Sequence, residues 1–410
     1  MPASCLQVLF FSTFNYEDGK ESSISGREDC VHLNVFTPAP NEPERKLPVM
    51  VFIHGGGFVG GKASDYHPNV LMNKEIVLVV IQYRLGIFGF LSTEDSVMRG
   101  NMGLKDQQLA LKWVKENVES FGGDSGNITI FGESAGGASV HYHILSPGSN
   151  GLFNRAIIQS GTSFCPWASN MNHKKYAIET GREFNCSIDN GTEKYLECMQ
   201  TVHPYYLIIA GAKTNILGFG PLYTLPRVDG EFITEPPELL MRKRKYNKVD
   251  IIAGITKDEG GYEFLLDYII PKRRGIINKN FEKYGPISLM FENEENSLEL
   301  TKKVYQLYLQ RENFTTNDED FLKISEEILR VSFNEISVFL FQIFVCRNPT
   351  PSGSEFIWKE ATTESFQYLS LTTSPAMKPD DFLKREFWTS LNTTQNKILQ
   401  DTLQEETGNL

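Results

Sequence analysis

Apolar positions follow two alternating rhythms along this chain. From Leu47 to Gly57 (LPVMVFIHGGG) an apolar run ends in a glycine cluster, and Ile76 to Tyr83 (IVLVVIQY) is β-branched with few polar positions. Such runs suit strands of a parallel sheet covered on both faces. Gly103 to Val118 (GLKDQQLALKWVKENV) instead places Leu104, Leu109, Ala110, Leu111, Trp113, Val114 and Val118 at mostly helical spacing. Asn127 to Phe131 (NITIF) returns to a strand, and GESAGGASVHYHILS restarts a helix. Short strands follow at Arg155 to Gln159 and Asp250 to Gly254, separated by a long insertion with helices of its own. Strand, helix, strand, helix predicts an α/β fold: a doubly wound, mostly parallel sheet with helical insertions.

Candidate chemistry sits where two of these strands end. Gly132-Glu133-Ser134-Ala135-Gly136 lies between a buried strand and a helix, where a sharp turn needs glycine to avoid clashes and lifts the serine hydroxyl above the sheet. The His54 to Phe58 run, HGGGF, offers backbone N–H groups without side chains, as a tetrahedral oxyanion requires. Two histidines follow the serine, but His141 and His143 lie about 10 Å and about 13 Å further along a continuous helix. Neither reaches the hydroxyl, and both read as helix-face residues.

Charge and cysteines narrow the setting. The 410 residues carry 40 basic and 51 acidic side chains, a net charge of -11, which argues against nucleic acid and anionic membrane surfaces as partners. A neutral or cationic small molecule suits it better. The greasiest run, Val338 to Val345, is far too short for a membrane span. The first residues, MPASCLQVLFFSTFNYEDG, lack the basic start and small-residue cleavage site of a secretory signal. Among six cysteines, Cys5 and Cys30 flank one polar loop and Cys186 and Cys198 another, a spacing shared by oxidised loops and by unrelated buried thiols. Glycosylation triplets at Asn185, Asn190, Asn313 and Asn392 point toward the secretory route. The basic run Arg242 to Lys245 reads as a solvated helix end rather than a nuclear signal.

Taken together, the motifs resemble type B carboxylesterases, the cholinesterase-like branch of the α/β-hydrolases, with insect esterases nearest in character. The resemblance runs through REDCVHLNVFTP (27–38), HGGGF, QYRLGIFGFLST (82–93), NMGLKDQQLALKWVKENVESFGGD (101–124), FGESAGGASVH and SGTSFCPWA (160–168). It implies a single domain over residues 1–410, with Ser134 as nucleophile and the N–H groups of Gly56, Gly57 and Ala135 as oxyanion hole. Within GITKDEGGY it makes Glu259 the triad acid. It further implies disulfides Cys5–Cys30 and Cys186–Cys198, with Cys165 and Cys346 outside them, and a buried Arg84–Asp106 ion pair bracing the site. The expected substrate is a small-molecule ester, the expected location secreted, and no metal or cofactor is implied.

The same resemblance places the base after the acid in chain order. All seven histidines, His32, His54, His67, His141, His143, His173 and His203, precede Glu259. Residues 347–410 resemble the family's C-terminal segment displaced against the strand before them, and Met1 stands just ahead of the first bridge cysteine. The expectation is therefore a hydrolase fold incomplete at both ends, truncated and short of its triad histidine, with impaired turnover. The alternative is a non-catalytic cholinesterase-like adhesion protein, against which the retained Ser134, HGGG loop and Glu259 argue. No tryptophan lies between Cys5 and Cys30, which disfavours choline esters, while Phe58, Phe164 and Trp167 suit an apolar acyl pocket.

Overall fold

The structure, a computed structural model, describes residues 3–8, 24–213, 222–256, 259, 272–312, 367–370, 376–379 and 385–398. Cys346, Asn313, the apolar run Val338 to Val345 and most of the segment 347–410 lie outside the described residues.

Among the described residues, six strands form the central sheet: β3 (Leu33–Phe36), β4 (Leu47–Ile53), β5 (Val77–Ile81), β6 (Gly123–Glu133), β7 (Arg155–Gln159) and β8 (Asp250–Gly254). A separate two-stranded pair, β1 (Gln7–Val8) and β2 (Ile24–Ser25), precedes them. The sheet order is β3-β5-β4-β6-β7-β8. All its neighbours are parallel except the edge strand β3, which runs antiparallel to β5. The expected doubly wound sheet is therefore present, with its strands within a few residues of the predicted bounds.

Burial explains why these strands read as unbroken apolar runs. Every residue of β5 is buried. On β4, Val49, Val51 and Ile53 enter the main core, while Phe52 turns to the opposite face with Leu78, Val80 and Phe131. A sheet covered on both faces leaves no room for alternation with polar residues.

Helix α1 (Gly86–Phe90) is short, and α2 (Met102–Asn117) buries Leu104, Leu111 and Val114 against the sheet. Helix α3 (Ala135–Leu145) is buried along all eleven residues, so it packs on every side. The insertion supplies α4 (His173–Glu183), α5 (Thr192–Thr201), α6 (Pro204–Lys213) and α7 (Pro237–Arg242). The first three share a small core around Tyr176, Tyr195, Met199 and Leu207. Just past α7, Lys243 and Lys245 both bond the Glu235 carboxylate, in keeping with the solvated helix end expected there. Three further helices, Lys272–Lys279, Phe281–Ser288 and Ser297–Leu309, form another cluster that takes in Trp388 and Leu391. No helix among the described residues is long and apolar enough to cross a membrane.

Candidate active site

Parallel pairing brings four strand ends to one edge. Ile53 of β4 pairs with Gly132 of β6, Glu133 with Gln159 of β7, and Gln159 with Gly254 of β8. The glycine loop, Ser134, Ser160 and Glu259 therefore leave the sheet side by side, at the carboxyl edge where open α/β sheets bind ligands.

Ser134 occupies φ 56°, ψ −122°, a conformation few side-chain-bearing residues adopt. Its N–H donates to the Gln159 carbonyl at 2.9 Å, and its carbonyl accepts from Ala138 N at 2.9 Å, opening α3. The turn is possible because the neighbouring backbones touch. A Cβ on Gly136 would lie 2.0 Å from the Ile53 carbonyl oxygen, and one on Gly132 2.5 Å from the Gly136 carbonyl carbon. Both positions require glycine, as the sequence motif predicts.

The glycine loop lies against this serine. A Cβ added to Gly55 would fall 3.1 Å from Ser134 Cβ. Gly56 sits at φ 109° and Gly57 at φ 60°, and the Gly56 carbonyl accepts from Val59 N at 3.1 Å and Gly60 N at 2.9 Å. Gln7 fastens the far end: its Oε1 accepts from Gly61 N at 2.8 Å, and its Nε2 donates to the Gly61 carbonyl at 2.9 Å. Gln7 thus ties the first strand pair to the loop, and the Cys5–Cys30 disulfide closes the segment that carries the pair.

Glu259 is held by two hydroxyls and one backbone N–H. Its Oε1 accepts from the Ser160 hydroxyl at 2.5 Å, from Thr256 N at 2.6 Å and from the Thr256 hydroxyl at 2.9 Å. Glu133 stands at the rim beside it. Loss of water around the Glu133 carboxyl, and then the charge on Glu259, push its pKa above the ordinary carboxylate value.

Arg84 and Asp106 form a two-pronged pair, Nε to Oδ2 at 2.8 Å and Nη2 to Oδ1 at 2.7 Å. Arg84 N adds a third bond to Oδ2 at 3.0 Å. The pair fixes the start of α2 to the segment leaving β5. The second disulfide joins Cys186 to Cys198, and Cys165 is buried and belongs to neither bridge.

Three of the histidines are buried and bonded to other groups. His54 Nδ1 meets the Gly55 carbonyl at 2.8 Å, and its ring stacks on Tyr83 with centroids 4.5 Å apart. Burial lowers its pKa to about 4. His141 Nδ1 accepts from the Ser163 N–H at 3.2 Å and meets the Ser163 hydroxyl at 2.9 Å, whereas His143 meets Ser149 Oγ at 2.9 Å and Gln107 Oε1 at 3.1 Å. Both are wholly buried, which pushes each pKa down to about 3. They are core residues, more enclosed than the expected helix face.

Two residues escape sequence reading. Nothing around Gln7 marks it, and Ser160 is signalled only by its place at a strand end, where it takes φ 49°. Phe58, Phe164 and Trp167, expected to suit an apolar acyl pocket, are buried in the main core, where Phe58 meets Phe90 edge-on at 5.2 Å and Phe164 meets His141 at 5.1 Å.

This sheet, with a strained serine between a parallel strand and a buried helix and a glycine loop beside it, is an α/β-hydrolase fold. The chain belongs to the carboxylesterase family, whose model matches residues 1–341. It is 36% identical over 343 residues to venom carboxylesterase-6 of Apis mellifera, covering 81% of this chain and 60% of that protein. With juvenile hormone esterase of Tribolium castaneum it shares 37% over 320 residues, 74% of this chain and 53% of the relative. A crystal structure of juvenile hormone esterase from Manduca sexta, with OTFP covalently attached, superposes with a TM-score of 0.69 at 28% identity, covering 83% of this chain and 64% of that one. The chain spans about half the length of the curated relatives it matches.

Proposed function

We propose that this chain carries the nucleophile, oxyanion hole and acid of a serine carboxylic-ester hydrolase. Ser134 Oγ attacks the ester carbonyl carbon, and the electron pair displaced onto the carbonyl oxygen meets the N–H groups of Gly56, Gly57 and Ala135. Collapse of that tetrahedral species expels the alcohol and leaves an acyl-serine, which water then hydrolyses. Glu259 orients and balances the group that carries the serine proton.

The observation that supports this most is the strained Ser134 at the end of β6 with Gly55 against its Cβ. The proton acceptor is the missing part of the reading. His54, His141 and His143 are buried and bonded elsewhere, and all seven histidines precede Glu259 in the chain. Loss of the histidine from a serine triad costs on the order of 10⁶ in turnover. The 410-residue chain is therefore expected to hydrolyse a short activated aryl ester barely faster than its Ser134→Ala variant. Robust turnover abolished by that substitution would refute the missing base while keeping the nucleophile.

A secretory route belongs to the same reading. It is supported by the two disulfides, which persist in oxidising compartments, and by a relative named for venom. The substrate is an ester, with Glu133 at the rim disfavouring an acidic group beside Ser134.

A further inference from the structure

Glycosylation triplets occur at Asn185, Asn190, Asn313 and Asn392, and Asn127-Ile128-Thr129 also fits the pattern. Asn313 lies outside the described residues. The other four differ in what folding does with them.

Asn190 ends an exposed single turn, Ile188–Asn190, inside the loop closed by the Cys186–Cys198 bridge. The third residue of its triplet, Thr192, opens α5. Asn392 is likewise exposed. Its Thr394 gives both N–H and hydroxyl to Glu294 Oε2, at 2.7 and 2.8 Å. In both triplets the asparagine faces water, and in the second the hydroxyl is bound by a carboxylate from a distant part of the chain. Asn127, by contrast, lies half-buried within β6, and its Oδ1 accepts from Arg155 Nη1 at 2.5 Å. Asn185 is exposed like Asn190, but it sits at φ 57° directly before the buried, bridged Cys186, whose disulfide ties down its triplet.

We propose that Asn190 and Asn392 carry N-linked oligosaccharides, added before their segments fold, and that Asn127 and Asn185 carry none. The amide nitrogen attacks the anomeric carbon of a lipid diphosphate-linked oligosaccharide. A C–N bond forms as the C–O bond to phosphate breaks; the lipid diphosphate leaves with the electron pair, and the amide proton passes to a base of the transferase. That enzyme reads the hydroxyl two residues on, and in the folded chain the Thr394 hydroxyl is already committed to Glu294. Attachment must therefore come first. Afterwards both glycans stand in water and displace no packing, whereas one on Asn127 would displace Arg155 at the central sheet.

The proposal rests on the secretory reading, and the test separates the two. The full chain is placed behind a cleavable secretory leader and a short tag bearing its own acceptor triplet, then translated with endoplasmic-reticulum microsomes. A modified tag reports that the chain has reached the lumen. Peptide mapping after enzymatic deglycosylation in heavy-oxygen water locates each site. Among tag-modified chains, Asn190 and Asn392 are expected to be occupied, with Asn190→Gln and Asn392→Gln each removing one glycan. Asn127→Gln and Asn185→Gln should remove none. Glu294→Ala, which releases the Thr394 hydroxyl, should leave occupancy at Asn392 unchanged. Bare Asn190 or Asn392 beside a modified tag, or a glycan on Asn127 or Asn185, overturns the assignment. Occupancy at Asn392 that rises with Glu294→Ala overturns the proposed order of events.

Discussion

The two halves of the candidate site are built by different means. On the Ser134 side the backbone itself makes the geometry: β6 turns into α3 with carbonyls so close that only glycine fits. On the Glu259 side the carboxylate is held by hydroxyls of Ser160 and Thr256 and by one backbone N–H. A backbone-built feature tolerates almost no substitution, while one built from side-chain hydrogen bonds loses strength bond by bond. The nucleophile's position is thus tied to the integrity of the fold, and the acid's position can be adjusted without unfolding it.

The largest expected effect comes from testing that contrast with one methyl group on each side. Gly136→Ala puts a Cβ 2.0 Å from the Ile53 carbonyl oxygen, a clash neither main chain can relieve locally. The expected cost is about 3 kcal/mol or more, read as loss of soluble protein or a large fall in melting temperature. Gly254→Ala, at the end of β8 on the acid side, meets nothing within 4 Å and should change stability by less than about 1 kcal/mol. Similar losses at both positions would remove the distinction.

Acid should attack the nucleophile side next. His141 and His143 are buried beside the elbow in α3 and held neutral, their pKa values near 3 against an ordinary 6.5. Below pH 6.5 the unfolded chain gains protons that the folded chain does not, so stability falls with pH. The loss approaches about 1.4 kcal/mol per pH unit for each histidine until the folded pKa is reached. Chemical denaturation at pH 7 and pH 5 should show His143→Gln losing about 2 kcal/mol less than the parent chain over that interval. An equal loss in both proteins would mean that His143 titrates normally.

Much of the nucleophile side was legible in the sequence because its causes are local. The run from Asn127 to His143 contains the strand, the glycines and the helix in order, and each glycine is required by a neighbour a few residues away or by the adjacent strand. The acid side was legible only in part. Glu259 came from a family resemblance, while its bond to Ser160, 99 residues earlier, has no local signal beyond that serine's place at a strand end. Phe58, Phe164 and Trp167 were legible as apolar residues beside the motifs, but only packing decides which way they face, and here they are buried in the main core.

A smaller effect follows from that unsignalled partner. Ser160→Ala removes one charge-assisted bond to Glu259 and leaves the two from Thr256, so it should cost about 1 kcal/mol. Differential scanning calorimetry would resolve a change of that size, and a cost matching Gly136→Ala would show that the acid side is as rigid as the elbow.

The central claim is that Ser134 is held ready by the backbone while none of the seven histidines takes its proton. Time-resolved labelling with an aryl fluorophosphonate, followed by peptide mapping, tests it most directly. The expected result is an adduct on Ser134 alone, absent from Ser134→Ala, that forms slowly and is accelerated when free imidazole is added as a proton acceptor. Fast labelling that ignores imidazole and is lost on replacing His54, His141 or His143 with glutamine would contradict the account.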